Sequence, residues 1–226
     1  METGKNINFV TLLLTAIAGF CDTITFVAAD RIFSAHVTGN FIVFAYQMIK
    51  GAGPEDWIKL ITFPVFVLAV IVGGWISSRF KNNHFLLCCE GIILILAGIL
   101  AYSSAEAGAQ LLTVQMYVVT MMIVFAMGFQ NAFGKLYVKE THGPTTMMTG
   151  NVTQFSLDLG ALLGSGFADL SYLTGLKKGL VTLGGFLLGC VLGAYVGKVF
   201  GLAGVVLPGI AMVICYFTTK PDQDIK

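Results

Sequence analysis

Charge is scarce in this sequence. Only 11% of its 226 residues are Asp, Glu, Lys or Arg, against roughly 25% in soluble domains, so there is too little charge to coat a globule in water. No basic excess exists either: 13 Lys and Arg residues nearly balance 12 Asp and Glu. A groove that tracks the phosphates of nucleic acid is therefore excluded as a main function. The five cysteines (Cys21, Cys88, Cys89, Cys190, Cys215) show no C-x-x-C spacing and all lie in apolar runs, which argues against a disulfide framework or a zinc site. The three histidines (His36, His84, His142) are scattered, and neither a metal nor another cofactor is expected. H-E-x-x-H and G-x-S-x-G are absent, so the sequence is read as that of a non-enzyme.

What is present is apolar length. Ala, Val, Ile, Leu, Met, Phe, Trp, Tyr and Cys make up 56% of the chain. They come in runs of about 20 residues, the length a helix needs to cross a hydrocarbon core of roughly 30 Å. Helices are predicted near 8–29, 38–50, 59–79, 84–103, 111–133, 148–164, 179–200 and 202–219. The first run follows Lys5 as a signal peptide would. It continues to about Ala29 with no small-residue cleavage site leading into a polar region, and is expected to be a retained helix. Two segments differ from the rest: 38–50 is too short to cross, and 148–164 carries Thr153, Gln154, Ser156 and Asp158. Both must be enclosed by protein or line a wet cavity, because unsatisfied polar groups in hydrocarbon are costly.

The two halves of the chain, 1–110 and 111–226, read as homologous repeats in a single membrane domain. Ala18-Gly19-Phe20-Cys21-Asp22 matches Met127-Gly128-Phe129-Gln130-Asn131 at an offset of 109. His36-Val37-Thr38-Gly39-Asn40 matches Met147-Met148-Thr149-Gly150-Asn151 at 111. Gly74 and Arg79 match Gly193 and Lys198 at 119, and Glu90-Gly91-Ile92 matches Pro208-Gly209-Ile210 at 118. If every segment crosses the membrane, each repeat has four spans and the halves are parallel. If 38–50 and 148–164 are re-entrant or broken, each repeat has three spans and the second half is inverted. With the N-terminus inside, three spans per repeat place 9 of the 13 basic residues inside, whereas eight crossings place 7 there. The positive-inside rule thus favours about six spanning helices plus two short half-helices. Both arrangements leave the two termini on one side.

In the inverted arrangement the two T-G-N motifs begin half-helices that enter from opposite faces. Helix N-termini present unpaired N–H groups and positive potential, and discontinuous transporter helices aim such ends at substrate near the midplane. Thr38, Gly39, Asn40, Thr149, Gly150 and Asn151 are therefore candidate substrate contacts, together with Gln130 and Asn131. The same motif also suits simple capping and packing. Asp22 is an ionisable group inside an apolar run and a candidate for proton or ion coupling; Asp158, matched by Gln47, is a weaker one, and Glu90 comes early enough in its helix to be interfacial. No Lys or Arg falls in the middle of a span, so a small polar or weakly anionic solute suits the site better than a polyanion. Gly185, Gly189, Gly193, Gly197 and Gly201, with Ala69, Gly73 and Ser77 in the counterpart helix, form small-residue stripes. Such stripes join either the two repeats or two subunits of a homo-oligomer.

The pairing of A-G-F-x-D at Ala18–Asp22 with H-x-T-G-N at His36–Asn40, completed by T-G-N at Thr149–Asn151, resembles the YoaK family of bacterial membrane proteins along essentially the whole chain. That resemblance implies about six spans and a bacterial cytoplasmic-membrane location, and carries no substrate with it. The expectation is an all-α polytopic membrane protein with cytoplasmic termini whose partner is the lipid bilayer. Its expected function is a small-solute transporter or channel, proton-coupled if Asp22 carries the proton. A membrane scaffold or sensory subunit is the alternative, and a membrane-embedded enzyme the least favoured reading.

Overall fold

The computed structural model describes residues 2–51, 53–80, 82–103 and 109–218. Lys81, Lys220 and Lys226, which entered the charge count, lie outside them. Among the described residues the chain is helical throughout, with no strand. This is the solution expected where lipid offers backbone groups no hydrogen bonds. The helices are α1 (Glu2–Ala28), α2 (Gly39–Gly51), α3 (Ile58–Arg79), α4 (Phe85–Ser103), α5 (Ala109–Leu136), α6 (Met148–Gly164), α7 (Tyr172–Phe200) and α8 (Val206–Thr218). Short 3-10 turns at Pro54–Trp57 and Gly201–Val205 lead into α3 and α8.

Five stretches are long and apolar enough to cross a membrane: Ile7–Ala28, Glu55–Arg79, Phe85–Ser103, Thr113–Leu136 and Tyr172–Thr218. The last, at 47 residues, would extend about 70 Å as one helix, over twice the hydrocarbon core. It folds back instead at Gly201, whose φ of 58° is open to glycine at little cost, and so supplies α7 and α8.

Close backbone approaches fix how the helices run. A Cβ at Gly185 would meet Leu12 and Thr15, at Gly189 Ala16, at Gly193 Phe20 and at Gly197 Ile24, so α1 and α7 lie parallel along a glycine seam. Likewise Gly128 faces Phe66 and Ala69 while Gly73 faces Phe129 and Ala132, making α3 and α5 parallel. Gly91 faces Gly209, Met212 and Val213, and Gly98 faces Ala203 and Val206, making α4 and α8 antiparallel. The small-residue stripes on α3 and α7 are therefore used inside the chain, joining each half to the other. Gly201 is the exception, with open space around it. Gly74 also has open space, and it is Gly73 that occupies the packed position. The contacts thus pair α3 with α7 at an offset of 120 (Phe66 with Phe186, Ala69 with Gly189, Gly73 with Gly193) rather than the 119 suggested by Gly74 and Gly193.

Neither α2 nor α6 crosses the bundle. Asp30, just past the end of α1, binds Lys59 at the start of α3 at 2.6 Å, so α1 ends and α3 begins at one face. At the other face, α5 runs antiparallel to α1: Gln130 reaches the Leu14 carbonyl at 2.7 Å, and His142, beyond α5, reaches Thr11 and Asn8. Because α7 is parallel to α1, α5 ends and α7 begins at that same face. Six helices, α1, α3, α4, α5, α7 and α8, run from face to face, the 13-residue α8 together with the 3-10 turn before it, while α2 and α6 return to the face they came from.

Candidate functional site

The connection between α1 and α2 dips into the bundle before the chain turns back. Asp22 lies eight residues before Asp30, about 12 Å deeper at 1.5 Å per residue. Its carboxylate, 4% exposed as a residue, gathers that connection around itself. Oδ1 accepts from the amides of Ala35 at 2.5 Å and His36 at 3.2 Å and from the Ser34 hydroxyl at 3.5 Å. Oδ2 is hydrogen-bonded to Nδ1 of His36. A carboxylate in an apolar bundle is tolerable only with such partners. The His36 ring rests edge-on against Phe33 and against Phe186 of α7. Its side chain remains 38% exposed. The Asp22 carboxylate bonded to the ring holds the His36 imidazole above its ordinary pKa, with burial pulling the other way.

Asn40 secures the same connection. Its Oδ1 accepts from the Phe33 amide at 2.8 Å, and its Nδ2 donates to the Phe33 carbonyl at 2.8 Å and to Thr62 Oγ1 on α3 at 3.0 Å. The Thr62 hydroxyl in turn donates to the Lys59 carbonyl, and Lys59, fully buried, binds Asp30 and Asp56. Asp22, Asn40 and Lys59 thus form three successive anchors from mid-bundle to the face.

The second T-G-N repeats the clamp in weaker form. Asn151 Nδ2 donates to the Pro144 carbonyl at 2.7 Å, the same seven-residue reach as Asn40 to Phe33, but proline has no N–H to return to Oδ1. Gln130 takes the anchoring role of Asp22, donating to Thr145 Oγ1 at 2.9 Å. Among the described residues Asn131 bonds back to Met127 of its own helix. Asp158 accepts from Gln154 and lies over Gly175 of α7. Thr38, Thr149 and Gly150 are exposed, and Gly39 packs against the Phe33 ring.

The two T-G-N segments do not meet. Among the described residues α2 packs on α3 and the 3-10 turn before it, and α6 packs on α7, so the expected joint site of Asn40 and Asn151 is not assembled within the chain. Each Asn clamps its own re-entrant connection. What the structure does bring together is Asp22 with His36. His36 stands at the head of H-x-T-G-N, where the second motif has Met147, so the repeat pattern alone does not mark it. Among the described residues no cluster of three or more His, Cys, Asp or Glu could hold a metal ion.

Six crossing helices, two returning connections and a carboxylate–imidazole pair inside the bundle define a polytopic α-helical membrane protein. The family model described as "Protein of unknown function (DUF1275)" matches residues 10–218, and the chain belongs to that family, of which YoaK is a member. No curated protein and no solved structure matches it.

Proposed function

We propose that this protein is a proton-coupled transporter of a small polar or weakly anionic solute, working in the bacterial cytoplasmic membrane with both termini in the cytoplasm. The observation that carries the reading is the Asp22–His36 pair. It is a buried carboxylate bonded to a partly exposed imidazole at the turning point of a re-entrant connection, where a proton can be taken up and its charge compensated at once. Two halves built by duplication supply the frame, a reading supported by the exchange of partners in which α1 lies on α7 and α5 on α3. Inverted units of this kind suit alternating access, each exposing in turn what the other closes. Asn40 and Asn151 hold the connections, and the solute site is placed beside His36 rather than between the T-G-N motifs.

The test is flux in vesicles. The purified protein, reconstituted with a trapped pH indicator, is offered sugars, amino acids and monocarboxylates. At least one class should drive proton entry that disappears in Asp22→Asn. Proton movement that no solute alters, or that persists unchanged in Asp22→Asn, would overturn the reading.

A further inference from the structure

Glu90 is a second acid inside the bundle, and nothing in the proposed mechanism uses it. Its side chain is fully buried, and neither carboxyl oxygen has a hydrogen-bond partner among the described residues. It precedes Gly91, where α4 crosses α8 at Gly209. It also lies eight residues, about 12 Å, inward of Gly98, which meets Ala203 in the turn between α7 and α8. Among the described residues no basic group pairs with it, and the one buried lysine, Lys59, is held elsewhere by Asp30 and Asp56.

The titratable groups on neighbouring elements offer no counter-charge. α8 carries Cys215 and Tyr216, α5 has Tyr117 and Lys135 toward its two ends, α3 has Lys59 and Arg79 at its ends, and on its own helix Glu90 follows Cys88 and Cys89, while the buried His84 just before α4 lies against Phe133 and Glu140. From α1, Cys21 is buried and carries no positive charge, while Asp22 is turned toward its own connection. Packed along α4 are Leu86, Leu87, Leu94 and Ala97, all buried. A carboxylate stripped of both water and partners is far less stable than the neutral acid, which has one proton and no charge to solvate.

We infer that Glu90 is a proton-binding site at the crossing of α4 and α8, carrying a proton in this arrangement of the helices. The site takes a proton rather than a metal ion, because among the described residues no group of three or more His, Cys, Asp or Glu forms there to complete a coordination shell.

The inference is tested by infrared spectroscopy of the full chain in lipid bilayers, with Glu90→Gln as the difference partner. The wild type should show the carbonyl stretch of a protonated carboxyl at neutral pH, lost in Glu90→Gln. Dicyclohexylcarbodiimide, which takes the proton of a protonated acid in apolar surroundings on its nitrogen and the carboxyl oxygen on its central carbon, should label Glu90 as mapped by mass spectrometry. A difference spectrum with carboxylate bands only would overturn the inference, as would labelling suppressed by sodium chloride but not by choline chloride at fixed pH. Where Glu90→Gln does not assemble, glutamate-labelled wild type followed through a pH titration gives the same reading. Both readouts are independent of flux, so loss of the transport reading leaves this one standing and the converse holds.

Discussion

Gly91 of α4 and Gly209 of α8 face each other reciprocally: a Cβ built on either would lie 2.9 Å from the other's carbonyl oxygen. Backbone meets backbone there, so neither side can rotate away. Gly91→Ala and Gly209→Ala should each lower stability by about 1–3 kcal/mol, the usual cost of overpacking. Thermal unfolding in detergent or nanodiscs should show a lowered midpoint for both variants, and an unchanged midpoint would mean that the helices are not this close.

The α1–α7 seam makes a matched comparison possible on one helix. Gly193 packs on the backbone of Phe20, whereas Gly184 has open space around it. Gly193→Ala should destabilise, and Gly184→Ala should be neutral or stabilise by up to about 1 kcal/mol through helix propensity. Equal responses from the two sites, measured by the same unfolding assay, would refute the parallel packing of α1 and α7.

Much of this frame was legible in the sequence because membrane helices announce themselves by apolar length. The predicted 148–164 is α6 residue for residue, and 59–79 and 84–103 end where α3 and α4 end and differ from them by one residue at the start. The start of α7 was not legible. It begins at Tyr172 rather than 179, because Lys177 and Lys178 read as loop while the helix continues through them to lay Gly175 and Gly179 against Asp158 and Phe155. The Asp22–His36 contact was hidden for another reason. It depends on how deep the connection dips, and that depth is set by hydrogen bonds from backbone amides that any residue but proline at 35 and 36 would supply. The charge asymmetry did point to re-entrant segments, but only the ion pair between Asp30 and Lys59 fixes the face to which α2 returns.

The two T-G-N asparagines should respond unequally to truncation. Asn40→Ala leaves the Phe33 amide and carbonyl and Thr62 without their partner in a buried setting, where an unsatisfied group costs about 1–3 kcal/mol. Asn151 is partly exposed and its main bond is to Pro144, so Asn151→Ala should cost under about 1 kcal/mol. Unfolding midpoints and the yield of monodisperse protein report the difference. A milder effect at Asn40 than at Asn151 would contradict the clamp.

The Asp22–His36 pair gives stability a pH dependence whose sign follows from linkage. The carboxylate raises the His36 pKa in the folded protein above its unfolded value, which is about 6.5. The pair's contribution is therefore fully present below the unfolded pKa and is lost as pH rises through the folded pKa. The unfolding midpoint of the wild type should fall across that interval, and in Asp22→Asn this component should disappear. A variant that keeps the wild-type slope would show that the histidine is not paired with Asp22.

Labelling from the two sides of the membrane tests the path of the chain. Single cysteines placed in a background with Cys21, Cys88, Cys89, Cys190 and Cys215 replaced should fall into two groups. Asp30→Cys and Glu55→Cys lie at either end of the α2 excursion, and the salt bridge from Asp30 to Lys59 puts them on one face. Gly143→Cys and Ala168→Cys flank α6, and the contacts of His142 with Thr11 and Asn8 put them on the other. On intact cells a membrane-impermeant thiol reagent should react with the first pair and not with the second, which should react only once the membrane is opened. That result establishes that α2 and α6 each return to the face they left, that the two excursions open on opposite faces, and that the N-terminus is cytoplasmic. Reversal of the two groups would keep the inverted arrangement but place the termini outside. A split within either pair would mean that α2 or α6 crosses the bilayer, and the re-entrant Asp22–His36 site would lose its basis.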